Sequence, residues 1–469
     1  MSSSYQMLPI EASIFKAYDI RGIVDETLTE DAIYQIGLAV GSEAADRGEQ
    51  KIYVGRDGRL SGPKLIKAFT QGLLDSGRDV IDIGMVPTPV LYFAAYQLGT
   101  GSGIMLTGSH NPPNYNGLKM VLGGTTLSGD DIQHLRQRIN DKNFTEGAGK
   151  FEELNIVQQY MDRVTSDVKL SRTMKVIVDC GNGVPGAVAP KLLRALGCEV
   201  EEMYCDVDGN FPNHHPDPSK PENLADLKAA LAKGNADIGL AFDGDGDRLG
   251  VITPQGEVIW ADRQLMLYAR DILKRNPGAD IIFDIKCTTK LPLVIREAGG
   301  NPIMWKTGHS FIKGKLKETG ALLAGEMSGH IFFKERWYGF DDALYTAARL
   351  LEILSRDSRP ATEIFGELPD SINTPELNLN MAEGEHHKLI AKLVAAASSN
   401  SHFKDAKLTT IDGVRADWDD GFGLVRASNT TPCLVFRFEG DSEQALDRIK
   451  TSFRELVKSQ APSNIEIPF

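Results

Sequence analysis

Cysteine is scarce in this chain: the 469 residues include five, and no two of them are spaced as C-x-x-C. An odd number without paired spacing argues against a disulfide-stapled secreted protein and predicts a reduced, cytoplasmic setting. Long apolar runs are also missing, since none approaches the roughly 18 residues that a membrane span needs. The first residues show no basic stretch leading into an apolar segment, so no signal peptide is predicted.

Positive charge is in deficit. Lys and Arg together number 51 against 64 Asp and Glu, which gives a net charge of −13. This balance argues against nucleic acid and against anionic membranes as partners. The hydrophobic share of 42% and the charged share of 25% are ordinary for a globular protein. The length suggests about three domains, with roughly two to four all reasonable.

An internal repeat is the most informative feature that is present. Three times the chain shows an apolar strand, an amphipathic helix, a second strand, a second helix and a third strand. The first strands are predicted at residues 51–57, 174–180 and 280–287. This alternation predicts mostly parallel sheets with helices on their faces. Ligands bind at the carboxyl edge of such sheets, so the loops after the third strands are the candidate sites.

The last part of the chain has a different pattern. Residues 408–418, 421–428 and 433–440 read as antiparallel strands, and a helix is predicted from about Ser442 to Ser459. These elements predict a small α+β domain. The breakers between Pro360 and Pro375 predict a linker before it.

The first candidate loop is T-G-S-H-N-P-P at 107–113. Its residues are turn formers, so a purely structural turn is one interpretation. It is not a nucleophile elbow, because G-x-S-x-G would need glycine at Thr107 and Asn111. The other interpretation is functional: Ser109 at a strand end could carry a covalent group, and Lys119 could move protons.

The second candidate loop is D-G-D-G-D-R at 243–248. Three carboxylates at alternate positions repel one another unless a cation lies among them, and hard oxygen ligands select Mg²⁺ or Ca²⁺. An EF-hand is excluded, because its sixth and twelfth positions are Arg248 and Pro254. A solvated acidic turn is the alternative.

Two further loops are weaker taken alone. In G-E-M-S-G-H at 325–330, Glu326 and Ser328 offer the acceptor and donor that sugar hydroxyls need, and His330 could shuttle a proton. In R-A-S-N-T-T at 426–431, one guanidinium and several short polar side chains could hold a phosphate. An ordinary polar loop is the alternative in each case.

A rival pattern points to a dinucleotide-dependent oxidoreductase. Gly181–Gly186 satisfies G-x-G-x-x-G after a predicted strand, and Glu201 lies at a suitable distance. A tight strand-to-helix turn is the preferred interpretation of these glycines, because Pro185 and the better-matched carboxylate loop at 243–248 both weigh against a cofactor there.

The four loops, in this order, resemble those of the α-D-phosphohexomutase superfamily, and specifically its bacterial phosphomannomutase/phosphoglucomutase branch. The resemblance is close to full length, from F-K-A-Y-D-I-R-G at 15–22 to the last helix. It implies three tandem α/β domains of common fold with mixed, mostly parallel sheets, a C-terminal α+β domain like the TATA-binding protein, and an active site in a central cleft. The predicted boundaries are 1–155 for the phosphoserine domain, 156–257 for the metal domain, 258–369 for the sugar domain and 370–469 for the phosphate domain.

The resemblance also implies roles for particular residues. Ser109 is implied to be phosphorylated, with Mg²⁺ between that phosphate and the three carboxylates. The implied metal ligands are Ser109, Asp243, Asp245 and Asp247, and the implied catalytic residues are Ser109, Lys119, His330 and Arg248. Implied substrate contacts are Tyr18, Arg21, Lys286, His309, Glu326, Met327, Ser328, Gly329, Arg426, Ser428, Asn429 and Thr430.

The implied reaction is the reversible interconversion of hexose 1-phosphate and hexose 6-phosphate, for mannose and glucose. It runs through phospho-Ser109 and a hexose 1,6-bisphosphate, which also serves as activator. A phosphoglucosamine mutase is the alternative within the superfamily, less favoured because those relatives usually carry Ala at Gly108 and Gln at Met327. A non-catalytic sugar-phosphate-binding protein is another. The resemblance further predicts a monomer.

Overall fold

The computed structural model describes residues 5–462 and 465–469. The chain divides into two compact units. The first comprises Met1–Ala261 and Ser328–Gly366, and the second comprises Asp262–Met327 and Glu367–Phe469.

The strands, in chain order, are β1 Ile20–Ile23, β2 Lys51–Arg56, β3 Asp79–Met85, β4 Gly103–Leu106, β5 Tyr115–Leu122, β6 Thr125–Thr126, β7 Phe151–Glu153, β8 Lys175–Asp179, β9 Glu199–Met203, β10 Ile238–Phe242, β11 Leu249–Ile252, β12 Val258–Ile259, β13 Asp280–Asp284, β14 Asn301–Trp305, β15 Leu323–Gly325, β16 Ile331–Phe333, β17 Ile372–Asn373, β18 Leu377–Asn380, β19 Lys407–Thr409, β20 Val414–Trp418, β21 Gly421–Ala427 and β22 Cys433–Gly440.

The helices are α1 Glu30–Asp46, α2 Gly62–Asp75, α3 Thr88–Gln97, α4 Asp130–Asn140, α5 Val157–Asp167, α6 Ala189–Ala195, α7 Ala225–Leu231, α8 Ala261–Arg275, α9 Lys290–Glu297, α10 His309–Thr319, α11 Ala343–Ser355, α12 Ala361–Gly366, α13 Glu385–Ala397 and α14 Glu443–Gln460. Within the described residues, no helix combines the length and apolarity needed to cross a membrane.

The predicted repeat is confirmed. In each copy the first strand lies in the middle, and the second and third strands pair with it in parallel. The orders are β3-β2-β4, β9-β8-β10 and β14-β13-β15. Parallel neighbours need a crossover connection, and the helices of each copy supply it. The third strands therefore end at the same edge of their sheets as the first strands.

The third strands of the first two copies turn back into antiparallel partners. β5 runs antiparallel to β4 and pairs Lys119 with Met105. β11 runs antiparallel to β10 and pairs Leu249 with Phe242. The loop at 107–114 is thus the connection between β4 and β5, and the loop at 243–248 is the connection between β10 and β11. Each loop is held at both ends by a ladder of backbone hydrogen bonds.

The C-terminal sheet is antiparallel, as predicted, in the order β17-β22-β21-β20-β19 with β18 also pairing β22. The single strand predicted at 408–418 is wrong, because a turn at 410–413 divides it into β19 and β20, which pair with each other. The helices α13 and α14 contribute Leu393 and Phe453 to the apolar core that the sheet covers. The predicted linker at 360–375 is only partly correct, because α12 and β17 lie within it. Ala361, Ile364 and Phe365 of α12 are buried, so apolar contacts keep this segment helical despite its flanking breakers.

Asp342 caps α11 from a buried position. Its side chain accepts a hydrogen bond from the backbone N–H of Tyr345 at 2.8 Å, and the hydroxyl of Tyr160 lies 2.9 Å from both carboxylate oxygens. Burial raises the pKa of Asp342 to about 7, although these donors act in the opposite direction. The folded protein therefore holds a proton on this carboxyl at pH values where the unfolded chain has lost it.

Asp342→Asn tests this pH dependence. The ordinary aspartate pKa is about 3.9, so the stabilising contribution of the protonated form is complete below that pH and is lost as pH rises through 7. Wild type should lose about 2 to 3 kcal/mol of stability relative to the variant between pH 5 and pH 8. Thermal unfolding at both pH values measures the difference.

Asp357→Asn is the control, because this half-buried carboxyl accepts hydrogen bonds from Arg359, which lower its pKa to about 2, outside the range tested. Parallel unfolding midpoints of wild type and Asp342→Asn across that range would contradict the assignment of a raised pKa.

Candidate active site

Ser109 lies at the carboxyl end of β4 in a strained backbone conformation. Its φ angle is +50°, in the left-handed region that residues other than glycine rarely occupy. The Ser109 hydroxyl donates to Oδ2 of Asp243 at 3.2 Å, and it lies 3.1 Å from Nδ1 of His110. Strain of this kind persists only where surrounding contacts impose it, and it concentrates at functional sites.

The contacts that impose it come from Asp57 and Arg59, which the sequence analysis did not single out. The buried Arg59 guanidinium donates to four backbone carbonyls of the loop, those of Ser109, Asn111, Pro112 and Tyr115.

Asp57 in turn fixes Arg59 and the start of the loop. Its Oδ2 accepts from Arg59 Nε at 3.2 Å, from the Thr107 hydroxyl at 2.9 Å and from the Gly108 N–H at 3.0 Å. Between the two strands, the backbone around Ser109 is therefore held by the buried ion pair of Asp57 and Arg59.

The second loop folds around one carboxylate oxygen. Oδ1 of Asp243 accepts the backbone N–H groups of Gly246 at 3.0 Å and of Asp247 and Arg248 at 3.1 Å. Asp243, Asp245 and Asp247 are fully buried. Their carboxylates offer oxygens that all lie within 4.8 Å of one another.

Lys119 compensates part of this negative charge. Its ammonium group donates to Oδ2 of Asp245 at 2.7 Å and also pairs with Asp247. Thr88, at the start of α3, adds a hydrogen bond to Oδ2 of Asp245 at 2.5 Å. The Oδ1 atoms of Asp245 and Asp247 are buried and have no hydrogen-bond partner among the described residues. Unpartnered buried carboxylate oxygens are costly, and they fit a site for a hard divalent cation.

The same contacts set the protonation of these groups. Burial, followed by repulsion from Asp247 and Asp245, raises the pKa of Asp243 well above its usual value. Burial acts to raise the pKa of Asp245 as well, but the charge and hydrogen bond of Lys119 hold it below the usual range. Burial alone would lower the pKa of Lys119, and the attraction of Asp245 and Asp247 raises it instead.

Arg248 and His330 are brought together by an isolated antiparallel bridge between their backbones. Nε of Arg248 donates to Nε2 of His330 at 3.1 Å, and its Nη2 lies 3.4 Å from Nε2 of His110. Desolvation, and after it the charges of Arg248 and Arg21, lower the pKa of His110 well below its usual value. His110 is therefore neutral at physiological pH.

Arg21 reaches the serine loop from β1. It donates to the side chain of Asn111 at 2.6 Å and to Asp19 at 2.5 Å. Tyr18 lies near enough to Arg248 to influence its pKa. Both predicted contacts from the 15–22 segment are thus part of the same cluster.

In the second unit, a chain of hydrogen bonds links two of the predicted loops and the start of α10. The buried Asp284, at the end of β13, accepts the N–H of Met327 at 3.2 Å and the hydroxyl of Thr307 at 2.9 Å. The Thr307 N–H donates to Asp412 at 3.0 Å, and Arg426 donates to the same oxygen at 3.0 Å. The loop with Glu326, the start of α10 with His309, and the Arg426 loop are therefore held by shared carboxylates.

The predicted phosphate-binding cations are paired in this structure. Lys286 Nζ contacts Glu376 at 2.6 Å. Burial opposes the charged form of Lys286, but Glu376 and Asp284 raise its pKa. Ser428 Oγ accepts the N–H groups of Thr430 at 3.3 Å and Thr431 at 3.2 Å, which fixes the turn at 428–431.

Every predicted site residue has a defined place. Those in the first unit are Tyr18, Arg21, Ser109, Lys119, Asp243, Asp245, Asp247, Arg248, Ser328, Gly329 and His330. Those in the second unit are Lys286, His309, Glu326, Met327, Arg426, Ser428, Asn429 and Thr430. The residues that sequence reasoning missed are Asp57, Arg59, Asp284, Asp341, Glu376 and Asp412. Only Asp57 offered a signal, since it ends the predicted first strand at 51–57, whereas the predicted strand at 280–287 ran past Asp284.

The rival dinucleotide pattern has no room for its ligand at the glycines. A Cβ on Gly183 would lie 2.9 Å from the Cα of Gly244, in the loop at 243–248. A Cβ on Gly186 would lie 1.9 Å from the carbonyl oxygen of Cys205. The chain's own backbone fills the space, which supports the tight-turn interpretation.

Comparison with known proteins agrees with this arrangement. Four family models match in order: phosphoglucomutase/phosphomannomutase α/β/α domains I, II and III over residues 12–146, 158–256 and 260–372, and the C-terminal domain over residues 376–456. The chain therefore belongs to the phosphoglucomutase/phosphomannomutase family.

Similar proteins cover nearly the whole chain. A phosphomannomutase/phosphoglucomutase from Pseudomonas aeruginosa is 57% identical over 460 residues, 98% of each chain. A phosphoglucomutase from Neisseria gonorrhoeae is 56% identical over 457 residues, 97% of this chain and 98% of that one. The crystal structure of a family protein from Burkholderia thailandensis superposes with a TM-score of 0.92 at 54% identity, covering 98% of this chain and 100% of that one.

Gly108→Ala tests the link between Arg59 and the serine loop. A Cβ at this position would lie 2.2 Å from Nε of Arg59. Because the guanidinium is held by four carbonyls, it cannot move without releasing the loop. We expect a loss of about 1 to 3 kcal/mol of stability, the usual cost of overpacking. Thermal unfolding measures it.

Gly314→Ala is the control, since a Cβ there, on helix α10, meets no atom of the described residues within 4 Å. It should leave stability unchanged or raise it by up to about 1 kcal/mol. Equal losses in both variants would mean that Arg59 does not constrain position 108.

Proposed function

We propose that this protein interconverts hexose 1-phosphates and hexose 6-phosphates, with mannose and glucose as the sugars, through a phosphoserine at Ser109. The observation that carries the proposal is the contact between the Ser109 hydroxyl and Asp243 at 3.2 Å. It places a strained, buried serine beside a cluster of metal-binding carboxylates. Full-length similarity to family members supports the same reaction.

The metal in this proposal is Mg²⁺. Asp243, Asp245 and Asp247 would hold it together with an oxygen of phospho-Ser109, and the unpartnered Oδ1 atoms of Asp245 and Asp247 support that fit. When bound, the ion supplies neutralisation of phosphate charge, the main requirement of phosphoryl transfer besides alignment.

The chain's own residues supply the rest of the proposed chemistry. Arg248 neutralises charge on the transferring phosphoryl group. Lys119 and His330 carry protons to and from the sugar oxygen. Phospho-Ser109 gives its phosphoryl group to the free hydroxyl of a hexose 1-phosphate, the bound hexose 1,6-bisphosphate reorients, and its other phosphate returns to Ser109. Added hexose 1,6-bisphosphate is the proposed activator, because it phosphorylates unmodified Ser109.

Substrate contacts complete the proposal. Glu326 and Ser328 would hold neighbouring hydroxyls, with the backbone of Met327 and Gly329 shaping the loop, and Tyr18 and Arg21 would approach from the N-terminal segment. The residues proposed to bind the non-reacting phosphate are Lys286, His309, Arg426, Ser428, Asn429 and Thr430. Since Lys286 and Arg426 are paired with Glu376 and Asp412, an incoming phosphate competes with these carboxylates.

The test is turnover of mannose 1-phosphate and glucose 1-phosphate, measured side by side with Mg²⁺ and a trace of glucose 1,6-bisphosphate. Comparable kcat/KM values establish a dual-specificity mutase. A preference above about 100-fold, or ~2.7 kcal/mol, makes it a single-sugar enzyme. Activity on neither sugar, with activity on glucosamine phosphate, would overturn the proposed substrate class.

Ser109→Ala should abolish turnover of both sugars. Intact-mass measurement should show a covalent phosphate on purified wild type and none on the variant. Ser166→Ala, on an exposed face of α5, is the matched control and should behave as wild type. Near-normal turnover by Ser109→Ala would show that the nucleophile is misassigned.

Arg426→Ala should raise KM about 10- to 100-fold, because a charge-assisted contact to phosphate contributes roughly 1.5 to 3 kcal/mol. Arg448→Ala is the control, since that side chain is 45% exposed and pairs only with Asp420 among the ion pairs described. Unchanged kinetics in Arg426→Ala would remove this residue from the phosphate site.

The proposal also includes a monomer that works in the cytoplasm, with domains bounded near residues 155, 257 and 369. Five cysteines without a disulfide are consistent with a reducing compartment. Sedimentation velocity tests the monomer.

A further inference from the structure

Asp341 is a fully buried carboxylate for which the proposed function gives no role. It precedes the α11 cap Asp342, and an antiparallel bridge to Phe332 places it beside the segment that begins with His330. Nδ1 of His330 lies 3.1 Å from Oδ2 of Asp341 and 3.6 Å from Oδ1 of Asp247. A carboxylate this deeply buried needs a donor, and the imidazole is within reach.

The second ring nitrogen of His330, Nε2, contacts Arg248. Nε of Arg248 donates to Nε2 of His330 at 3.1 Å. A guanidinium group only donates hydrogen bonds, so Nε2 is the unprotonated, accepting nitrogen of the neutral ring. The proton of the neutral ring is therefore on Nδ1, the nitrogen that faces Asp341.

We propose that Asp341 is a positioning residue that fixes His330 in the Nδ1–H tautomer and leaves Nε2 as the base. The inference rests on the proposed function. As phosphoryl transfer proceeds, Arg248 turns from Nε2 to the transferring phosphoryl group, and the sugar O–H bond breaks as its proton moves to Nε2. The sugar oxygen bonds to phosphorus, the bond from phosphorus to Ser109 Oγ breaks with its electron pair left on Oγ, and Lys119 gives a proton to Oγ. Asp341 stays ionised and stabilises the resulting imidazolium.

A second cation site is the competing explanation, because Asp247, His330 and Asp341 also lie within ligand distance of one another. The contact on the other ring nitrogen argues against it. Because Nε2 of His330 accepts a hydrogen bond from Arg248, Nδ1 carries the proton of the neutral ring, and a protonated nitrogen cannot bind a metal ion.

Asp341→Asn is the first test. An amide can donate to Nδ1 and so stabilise the wrong tautomer, as happens when a serine-protease aspartate is replaced. We expect kcat to fall about 100-fold or more, the usual contribution of general base catalysis, while KM changes less than about threefold. Asp342→Asn, the adjacent cap, is the matched control and should keep kcat near wild type. Normal kcat in Asp341→Asn would overturn the proposal.

The double variant separates positioning from folding. If Asp341 acts through His330, then His330→Ala with Asp341→Asn should be no slower than His330→Ala alone. If the two losses of kcat multiply in the double variant, Asp341 acts independently of His330, and the proposal is overturned. Asp341→Glu, which keeps the carboxylate, should restore part of kcat and serves if Asp341→Asn does not fold.

The tautomer itself gives a readout that does not depend on turnover. Imidazole ¹⁵N spectra of histidine-labelled protein, with His330 assigned by its replacement, should show Nδ1–H in wild type and a shift toward Nε2–H in Asp341→Asn. An Nε2–H tautomer in wild type would overturn the inference even if the mutase activity is established. Absence of any hexose phosphate turnover by wild type would instead contradict the proposed function and leave the tautomer result standing.

Titration with Mn²⁺ addresses the competing explanation. One bound ion per chain in both wild type and Asp341→Asn is expected. Two ions in wild type, reduced to one in Asp341→Asn, would identify a second metal site and overturn the positioning role.

Discussion

The burial of three carboxylates in one short loop is the constraint on which the rest of the first unit depends. Asp243, Asp245 and Asp247 are removed from water and crowded together, so desolvation and mutual repulsion must be offset locally. Backbone N–H groups serve Asp243, the ammonium group of Lys119 serves the other two, and Thr88 adds a hydroxyl. These partners come from β5, α3 and the loop itself, so the sheet order must be correct before the cluster can form.

The first two copies of the repeat build their loops in the same way. The third strand of each copy ends in a loop, the next strand runs antiparallel to it, and a basic residue lies in that strand or at the end of the loop. In the first copy the loop carries Ser109 and the return strand carries Lys119, and in the second the loop carries the carboxylates and ends in Arg248. The serine loop lacks carboxylates to wrap around, and the buried pair of Asp57 and Arg59 organises it instead. A serine, an acidic cluster and two cations thus meet in one buried region.

In the second unit, two basic side chains proposed to bind phosphate form ion pairs with carboxylates. The chain has a net charge of −13, so a site for a phosphorylated sugar must concentrate positive charge against that background. Burial opposes the charged form of Lys286, and Glu376 raises its pKa, while the buried Arg426 is paired with Asp412. Asp284 and Asp412 also connect the loops through Thr307, so the groups proposed to recognise the substrate are tied to one hydrogen-bond chain.

The sequence by itself determined the repeat, the parallel strands and the loops that hold the chemistry, because strand periodicity, glycine spacing and carboxylate runs are local properties of the chain. It also placed β21, β22 and the last helix, since each alternates or repeats within a few residues, but it merged β19 and β20 into one strand. It missed α12 inside the expected linker, because buried apolar contacts, not local breakers, keep that segment helical. Only the tertiary structure decided that Lys119 pairs with two of the carboxylates, that Arg59 supports Ser109, and that Asp341 faces His330. These contacts join residues far apart in the chain, and their energy comes from desolvation and charge that exist only once the site is buried.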